Sequence, residues 1–193
     1  MKIGVLALQG AFAEHEKVLE QLGAECIELR QDRDLSEPYD ALVLPGGEST
    51  VQGKLLKELS MFDTIKSQIQ NGMPVLATCA GAILLAETID GQMKGQPEQY
   101  FGTIPMCIKR NAYGRQLGSF HTEASVVGIG TVPMTFIRAP YIASVGNGVE
   151  VLAVVEERIV GVKYKNQMAF SFHPELDPDM RIHKTFLSMI SNV

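Results

Sequence analysis

Met73-Pro-Val-Leu-Ala-Thr-Cys-Ala-Gly-Ala-Ile-Leu-Leu-Ala86 is the stretch on which the reading of this chain turns. Residues 74–78 form a short apolar run of strand length, and residues 80–86 read as a helix built from small and aliphatic side chains. Cys79 stands at the join, with Ala77, Ala80 and Gly81 around it. A strand that turns sharply into a helix holds its turn residue in a strained, exposed position, where large neighbours would clash. The unpaired N–H groups and dipole of the new helix favour negative charge on a sulfur placed there. That is the construction of a nucleophile. A cysteine in an apolar run is also a common small core residue, so the assignment depends on partners elsewhere.

Working outward, residues 3–8 and 41–44 are continuous apolar runs, as expected of strands buried on both faces, and residues 26–29 read as another strand. Between the first two strands, residues 11–22 carry Phe12, Val18, Leu19 and Leu22 near helical spacing, with Gly23 as the stop. His15, flanked by Glu14 and Glu16, reads as part of a solvated helix face and of no metal motif. A further helix is expected at 60–70, ended by Asn71-Gly72. Strand and helix thus alternate through the first half, which predicts a parallel sheet with helices on both faces.

After that helix-rich half, residues 90–102 read as a surface loop rich in Gly, Gln and Pro. Residues 104–172 break into short alternating segments with turns at Gly114, Gly130, Gly146-Asn147-Gly148 and Glu156-Glu157. These are expected to add antiparallel strands to the parallel core. Cys26 and Cys107 fall in strand-like segments and read as core thiols. The expected architecture is α/β: one three-layer domain over residues 1–193, its mainly parallel sheet flanked by helices.

Composition narrows the function classes. The 193 residues are 46% hydrophobic and 20% charged, with a formal net charge of −5, so no basic face for nucleic acid is advertised. The 14 residues of the 73–86 window fall short of the roughly 20 needed to span a bilayer. Residues 2–8 are too short and too early for a signal peptide. Three cysteines cannot all pair and lack metal-ligand spacing, which predicts a reducing, cytoplasmic setting with no metal and no cofactor.

Two further segments complete the chemistry. Pro45-Gly-Gly-Glu-Ser-Thr50 follows the third strand, and its glycines permit a turn with exposed N–H groups, while Ser49 or Thr50 can cap the next helix. Such a loop is either a plain connection or an oxyanion hole facing Cys79 across the crevice at the strand ends. Residues 168–172 form a strand that runs into His173-Pro-Glu175, after which Asp177-Pro178 is expected to open the last helix. Residues two apart on extended backbone share a side, so Glu175 can orient His173, and a Cys, a His and a carboxylate make a thiol triad. His121 and Glu123 have the same spacing, but they lie in 119–126, which alternates polar and apolar residues like a strand with one wet face.

With these residues in place, the chain resembles the class I, triad-type glutamine amidotransferases, a flavodoxin-like fold. Within them it resembles the branch serving a separate pyridoxal 5′-phosphate synthase subunit. The matching segments are Ile3-Gly-Val-Leu-Ala-Leu-Gln-Gly10, Leu44-Pro-Gly-Gly-Glu-Ser-Thr50, Thr78-Cys-Ala-Gly81, Arg110-Asn-Ala-Tyr-Gly-Arg-Gln116, Phe136-Ile-Arg-Ala-Pro140 and Ser171-Phe-His-Pro-Glu-Leu176. The resemblance implies hydrolysis of L-glutamine to glutamate and ammonia by Cys79, His173 and Glu175. It implies an oxyanion hole from Gly47 and Ala80, and glutamine contacts from Gly47, Glu48, Ser49, Arg110, Ile137 and Arg138. It also implies a synthase partner, docked near Gln9 and Gly10. The alternatives are a glutaminase of another pathway, such as histidine biosynthesis, and a silent scaffold of the same fold. Two departures stand out: Ala77 replaces the usual glycine two residues before the nucleophile, and the loop at 92–100 is long for the branch.

Overall fold

The computed structural model describes residues 1–91, 100–110 and 119–190. In chain order the first half runs β1 (Lys2–Leu6), α1 (Phe12–Gln21), β2 (Glu25–Leu29), β3 (Ala41–Leu44), α2 (Ser49–Glu58), α3 (Phe62–Gln70), β4 (Val75–Thr78) and α4 (Ala80–Leu85). The second half runs β5 (Ala86–Ile89), β6 (Ile104–Lys109), β7 (Ser119–Val126), β8 (Gly130–Ile137), β9 (Tyr141–Val145) and β10 (Glu150–Val155). It closes with β11 (Arg158–Tyr164), β12 (Gln167–Phe170) and α5 (Arg181–Ile190). The sheet is ordered β2-β1-β3-β4-β12-β11-β10-β7-β8, with β5, β6 and β9 branching from β11.

The expected division into a parallel core and an antiparallel addition holds, with one shift of membership. β12 pairs parallel with β4 and antiparallel with β11, so it belongs to both halves. Its register sets Phe170 beside Thr78, and the Phe170 carbonyl accepts from the Cys79 N–H at 2.8 Å. The chain therefore leaves β4 at Cys79 and β12 toward His173 on the same edge of the sheet. Sequence separation becomes spatial contact through that one pairing.

Alternation along each buried strand sends side chains to two cores. Leu42, Leu44, Val75 and Ala77 pack with Leu56, Phe62, Ile65 and Ile69 on the α2–α3 side. Ala41, Val43 and Leu76 pack with Leu19, Ile182 and Phe186 on the α1–α5 side. Burying one such Leu, Ile or Phe side chain is worth about 1.5–3 kcal/mol, so both layers hold the sheet firmly. The Ala77 methyl lies fully inside the first core while β4 keeps its pairing to both neighbours, so this departure leaves the strand intact.

Several boundaries differ from expectation. α3 begins at Phe62 and not at residue 60, because Ser60 adopts a left-handed φ of 57° that separates it from α2. α4 ends at Leu85, where Ala86 turns extended and pairs with Ile104. The last helix starts at Arg181, with Asp179 accepting from its N–H at 2.9 Å. Asp177 is no helix cap: its carboxylate accepts from the Thr135 N–H and hydroxyl of β8 at 3.2 and 3.0 Å. The short 3₁₀ turn Pro174–Leu176 intervenes, and Asp177 fastens it to the sheet. The turn at Gly114, the loop at 92–99 and residues 111–116 lie outside the described residues. No helix among the described residues is long and apolar enough to cross a membrane.

Candidate active site

Cys79 occupies the turn between β4 and α4 with φ 48° and ψ −103°, a region that costs a non-glycine residue energy and that surrounding structure must enforce. The enforcement is visible. A Cβ on Gly81 would sit 2.0 Å from the Leu44 carbonyl oxygen, so glycine alone lets the first turn of α4 press against the end of β3. Exchanging a mid-helix glycine for alanine normally gains about 1 kcal/mol in propensity. Here the backbone overlap outweighs it, and Gly81→Ala is expected to destabilise the fold by on the order of 2 kcal/mol. A lowered urea midpoint, with loss of Cys79 reactivity, is the check.

His173 and Glu175 stand together, as the sequence suggests, on the far side of the same crevice. His173 Nδ1 lies 2.6 Å from Glu175 Oε1, and both residues are buried. The His173 N–H is fixed by the Thr135 carbonyl at 2.8 Å, and Gly46 packs closely against the Cε1 end of the ring: a Cβ there would fall 2.3 Å from Cε1. Burial alone pulls the His173 imidazole down. Hydrogen bonds to Cys79 and Glu175, with the Glu175 charge, outweigh it and raise the imidazole to about 10. Burial pushes Glu175 up, but the neighbouring His15 and His173 hold it below the usual carboxylate range. His173 is thus paired with Glu175 and coupled to Cys79, and imidazolium and carboxylate stabilise one another; the Cys79 thiol also faces the Ile137 carbonyl at 4.0 Å.

Above Cys79 and His173 opens a cleft of about 490 Å³. Gly47, Glu48, Ser49, Arg110, Ile137 and Arg138 all line it, together with Cys79 and His173. Glu175 is not on its wall but behind His173, and Ala80 is buried at the start of α4. Glu48, expected in the site, is itself the α2 cap: its carboxylate accepts from the N–H groups of Thr50 and Val51 at 3.1 and 2.8 Å. Neither Ser49 nor Thr50 supplies that cap. Arg110 donates to the Thr50 hydroxyl at 3.0 Å and to the Tyr100 hydroxyl, which leaves its guanidinium fixed at the cleft wall. His121 lies elsewhere, on the exposed face of β7 against Thr135 at 3.1 Å.

The Gly46-Gly47 loop is bound to the loop after β1. The Gly46 carbonyl accepts from the Ala11 N–H at 3.0 Å, and the Glu48 N–H donates to Gln9 Oε1 at 2.7 Å. Gly10 has φ +103°, and a Cβ there would lie 1.8 Å from the Gly46 oxygen, so this contact requires glycine.

Several cleft residues have no role assigned from the sequence. Glu14 lines the cleft with no motif to announce it, and Pro140 and Leu176, which also line it, close two of the matching segments without a role of their own in that reading. His15 is a plain correction: it is fully buried beneath Glu175, and not solvated. Here a signal was present, since position 15 falls three residues from both Phe12 and Val18 and shares their face of α1. The flanking glutamates masked it.

Known proteins share both the sequence and the fold. A model of the SNO glutamine amidotransferase family matches residues 5–192. The pyridoxal 5′-phosphate synthase subunit PdxT of Desulfitobacterium hafniense (strain Y51) is 60% identical over 192 residues, covering 100% of this chain and 94% of that protein. The protein of the same description from Streptococcus pneumoniae (strain ATCC BAA-255 / R6) is 55% identical over 192 residues, covering 98% and 97%. A crystal structure described as a glutamine amidotransferase superposes with a TM-score of 0.91 at 42% identity, covering 98% of each chain. Another, a glutamine amidotransferase from Thermotoga maritima, shares the fold, with a TM-score of 0.64 at 15% identity over 100% of this chain and 84% of that one.

Proposed function

This chain belongs to the SNO glutamine amidotransferase family, and from that premise we infer that it hydrolyses L-glutamine to L-glutamate and ammonia through Cys79, His173 and Glu175. The ammonia is handed to a separate synthase subunit that makes pyridoxal 5′-phosphate, as the description of both curated relatives suggests. The observation that carries the reading is that Cys79 and His173 line one cleft, with Glu175 2.6 Å behind His173.

In this reading Cys79 Sγ attacks the side-chain amide carbon, and the carbonyl oxygen takes up the negative charge. The Ala80 N–H, unpaired within α4 by its place at the helix start, and the Gly47 N–H receive that charge. The His173 imidazolium gives its proton to the departing nitrogen, and ammonia leaves behind a glutamyl thioester. His173, now neutral, takes a proton from water as it attacks the thioester, and glutamate is released. Glu175 holds the imidazole in one orientation throughout. Arg110 and Arg138 suit the α-carboxylate of glutamine, and Glu48 and Ser49 suit the remaining polar atoms.

The same contacts suggest regulation by the partner. The Ala11 N–H holds the Gly46 carbonyl at 3.0 Å and Gln9 Oε1 holds the Glu48 N–H at 2.7 Å, one on each side of Gly47, so a synthase docking on residues 9–11 reorients the Gly47 N–H. Uncoupled hydrolysis would waste glutamine, and low activity in the isolated glutaminase avoids that. Glutamate release is expected to rise sharply when saturating synthase is added. Equal rates with and without synthase would remove the activation while leaving the triad in place.

A further inference from the structure

Behind the triad lies a second set of buried groups that the reaction above does not use. His15 Nε2 stands 3.3 Å from Glu175 Oε2 and 3.0 Å from the Thr78 hydroxyl oxygen. His15 Nδ1 stands 3.0 Å from Nε2 of His183 on α5. Both rings are fully buried, and His183 Nδ1 makes no hydrogen bond. Glu175 Oε2 likewise has no hydrogen bond of good geometry, so His15 is the N–H group placed to serve it.

Tautomers follow from charge. If His15 Nε2 were bare, its lone pair would face a carboxylate oxygen at 3.3 Å inside a low-dielectric core, which is repulsive. If Nε2 carries the proton, it donates to the Thr78 hydroxyl oxygen at 3.0 Å and turns its positive edge toward Glu175 Oε2 at 3.3 Å, and bare Nδ1 accepts from the Nε2–H of His183. Both rings are then neutral. Burial agrees, holding His15 below its ordinary value and pulling His183 down to about 3.

We propose that His15, its tautomer set by His183, is a positioning residue for the triad: its Nε2 edge, anchored on Thr78 and 3.3 Å from the second oxygen of Glu175, favours the charged carboxylate and keeps it aimed at His173. Glu175 then has an imidazole beside each oxygen: His173 hydrogen-bonded to Oε1 at 2.6 Å and His15 facing Oε2 at 3.3 Å. The other ionisable groups facing His15 are His173 on the turn, His183 on α5 and Glu14 on α1. Glu16 is turned toward Cys26 and Glu28.

This inference rests on the triad reading, and its test keeps the two apart. His15→Leu removes the N–H, while His15→Gln keeps an amide N–H near the same place. Loss of that donor raises the Glu175 carboxyl, and a protonated Glu175 no longer supports the imidazolium, so activity fails at a higher pH than in the parent. In the synthase complex, His15→Leu is expected to lower kcat by roughly ten- to a hundredfold with KM for glutamine little changed, whereas His15→Gln recovers most of the rate. The acidic limb of kcat/KM moves upward for the leucine variant only. Alkylation of Cys79 by iodoacetamide across pH, which needs neither glutamine nor synthase, reports the same shift even if no glutamine is turned over. A folded leucine variant with parental kcat and an unmoved limb overturns the proposal, as does a glutamine variant as impaired as the leucine one. Should the leucine variant not fold, ¹⁵N-histidine spectra of the unaltered protein decide: a proton on His15 Nε2 is expected, and one on Nδ1 overturns it.

Discussion

Cys79→Ser is expected to lose glutamine hydrolysis by on the order of ten-thousandfold or more while leaving the fold in place. A serine hydroxyl fits the space of the thiol, and the strained turn at φ 48° is imposed by the neighbours, not by sulfur. What changes is the nucleophile. The imidazolium at His173 is sustained by hydrogen bonds to both Cys79 and Glu175, and a serine hydroxyl at neutral pH does not replace the sulfur in that pairing. Circular dichroism and the urea midpoint should match those of the parent, and glutamate release with synthase present should be near background. A variant that retains a tenth of the parental rate would show that the sulfur does not form the covalent bond.

His173→Asn should cost on the order of a thousandfold or more, and His121→Asn less than about threefold. The contrast comes from placement. His173 follows the end of β12, is buried, and meets Glu175 at 2.6 Å. His121 shares the motif spacing, but its side chain is 57% exposed on β7 and its nearest acid, Asp177 at 3.6 Å, already serves Thr135. Steady-state kinetics of the two variants side by side is the measurement. A large loss at His121 with a small one at His173 would move the reaction to the antiparallel region.

Much of this arrangement is legible in the residues themselves. The apolar runs at β1, β3 and β4 have no polar face to misread, and the small residues around Cys79 announce a tight turn that the Gly81–Leu44 contact explains. The parallel placement of β12 is harder, because pairing partners are set by the whole sheet and not by any local pattern. Asp177 misleads for a related reason. Asp-Pro is a strong helix-start signal locally, yet the turn that seats Glu175 needs an anchor on β8, and Asp177 supplies it. His15 is hidden by its charged neighbours although its position on the buried face of α1 is countable. The cleft residue Glu14 has no local signal, since it reaches the site only through the packing of α1 against the sheet.

The central claim is that Cys79 forms the covalent bond to glutamine, and one measurement addresses it directly. The protein, with synthase, is treated with a glutamine analogue bearing an electrophilic carbon in place of the amide, then digested and mapped by mass spectrometry. Stoichiometric label on Cys79, none on Cys26 or Cys107, and protection by excess glutamine is the predicted result. Label on Cys26 or Cys107, or a Cys79 left unmodified while glutamate is still released, would contradict the account.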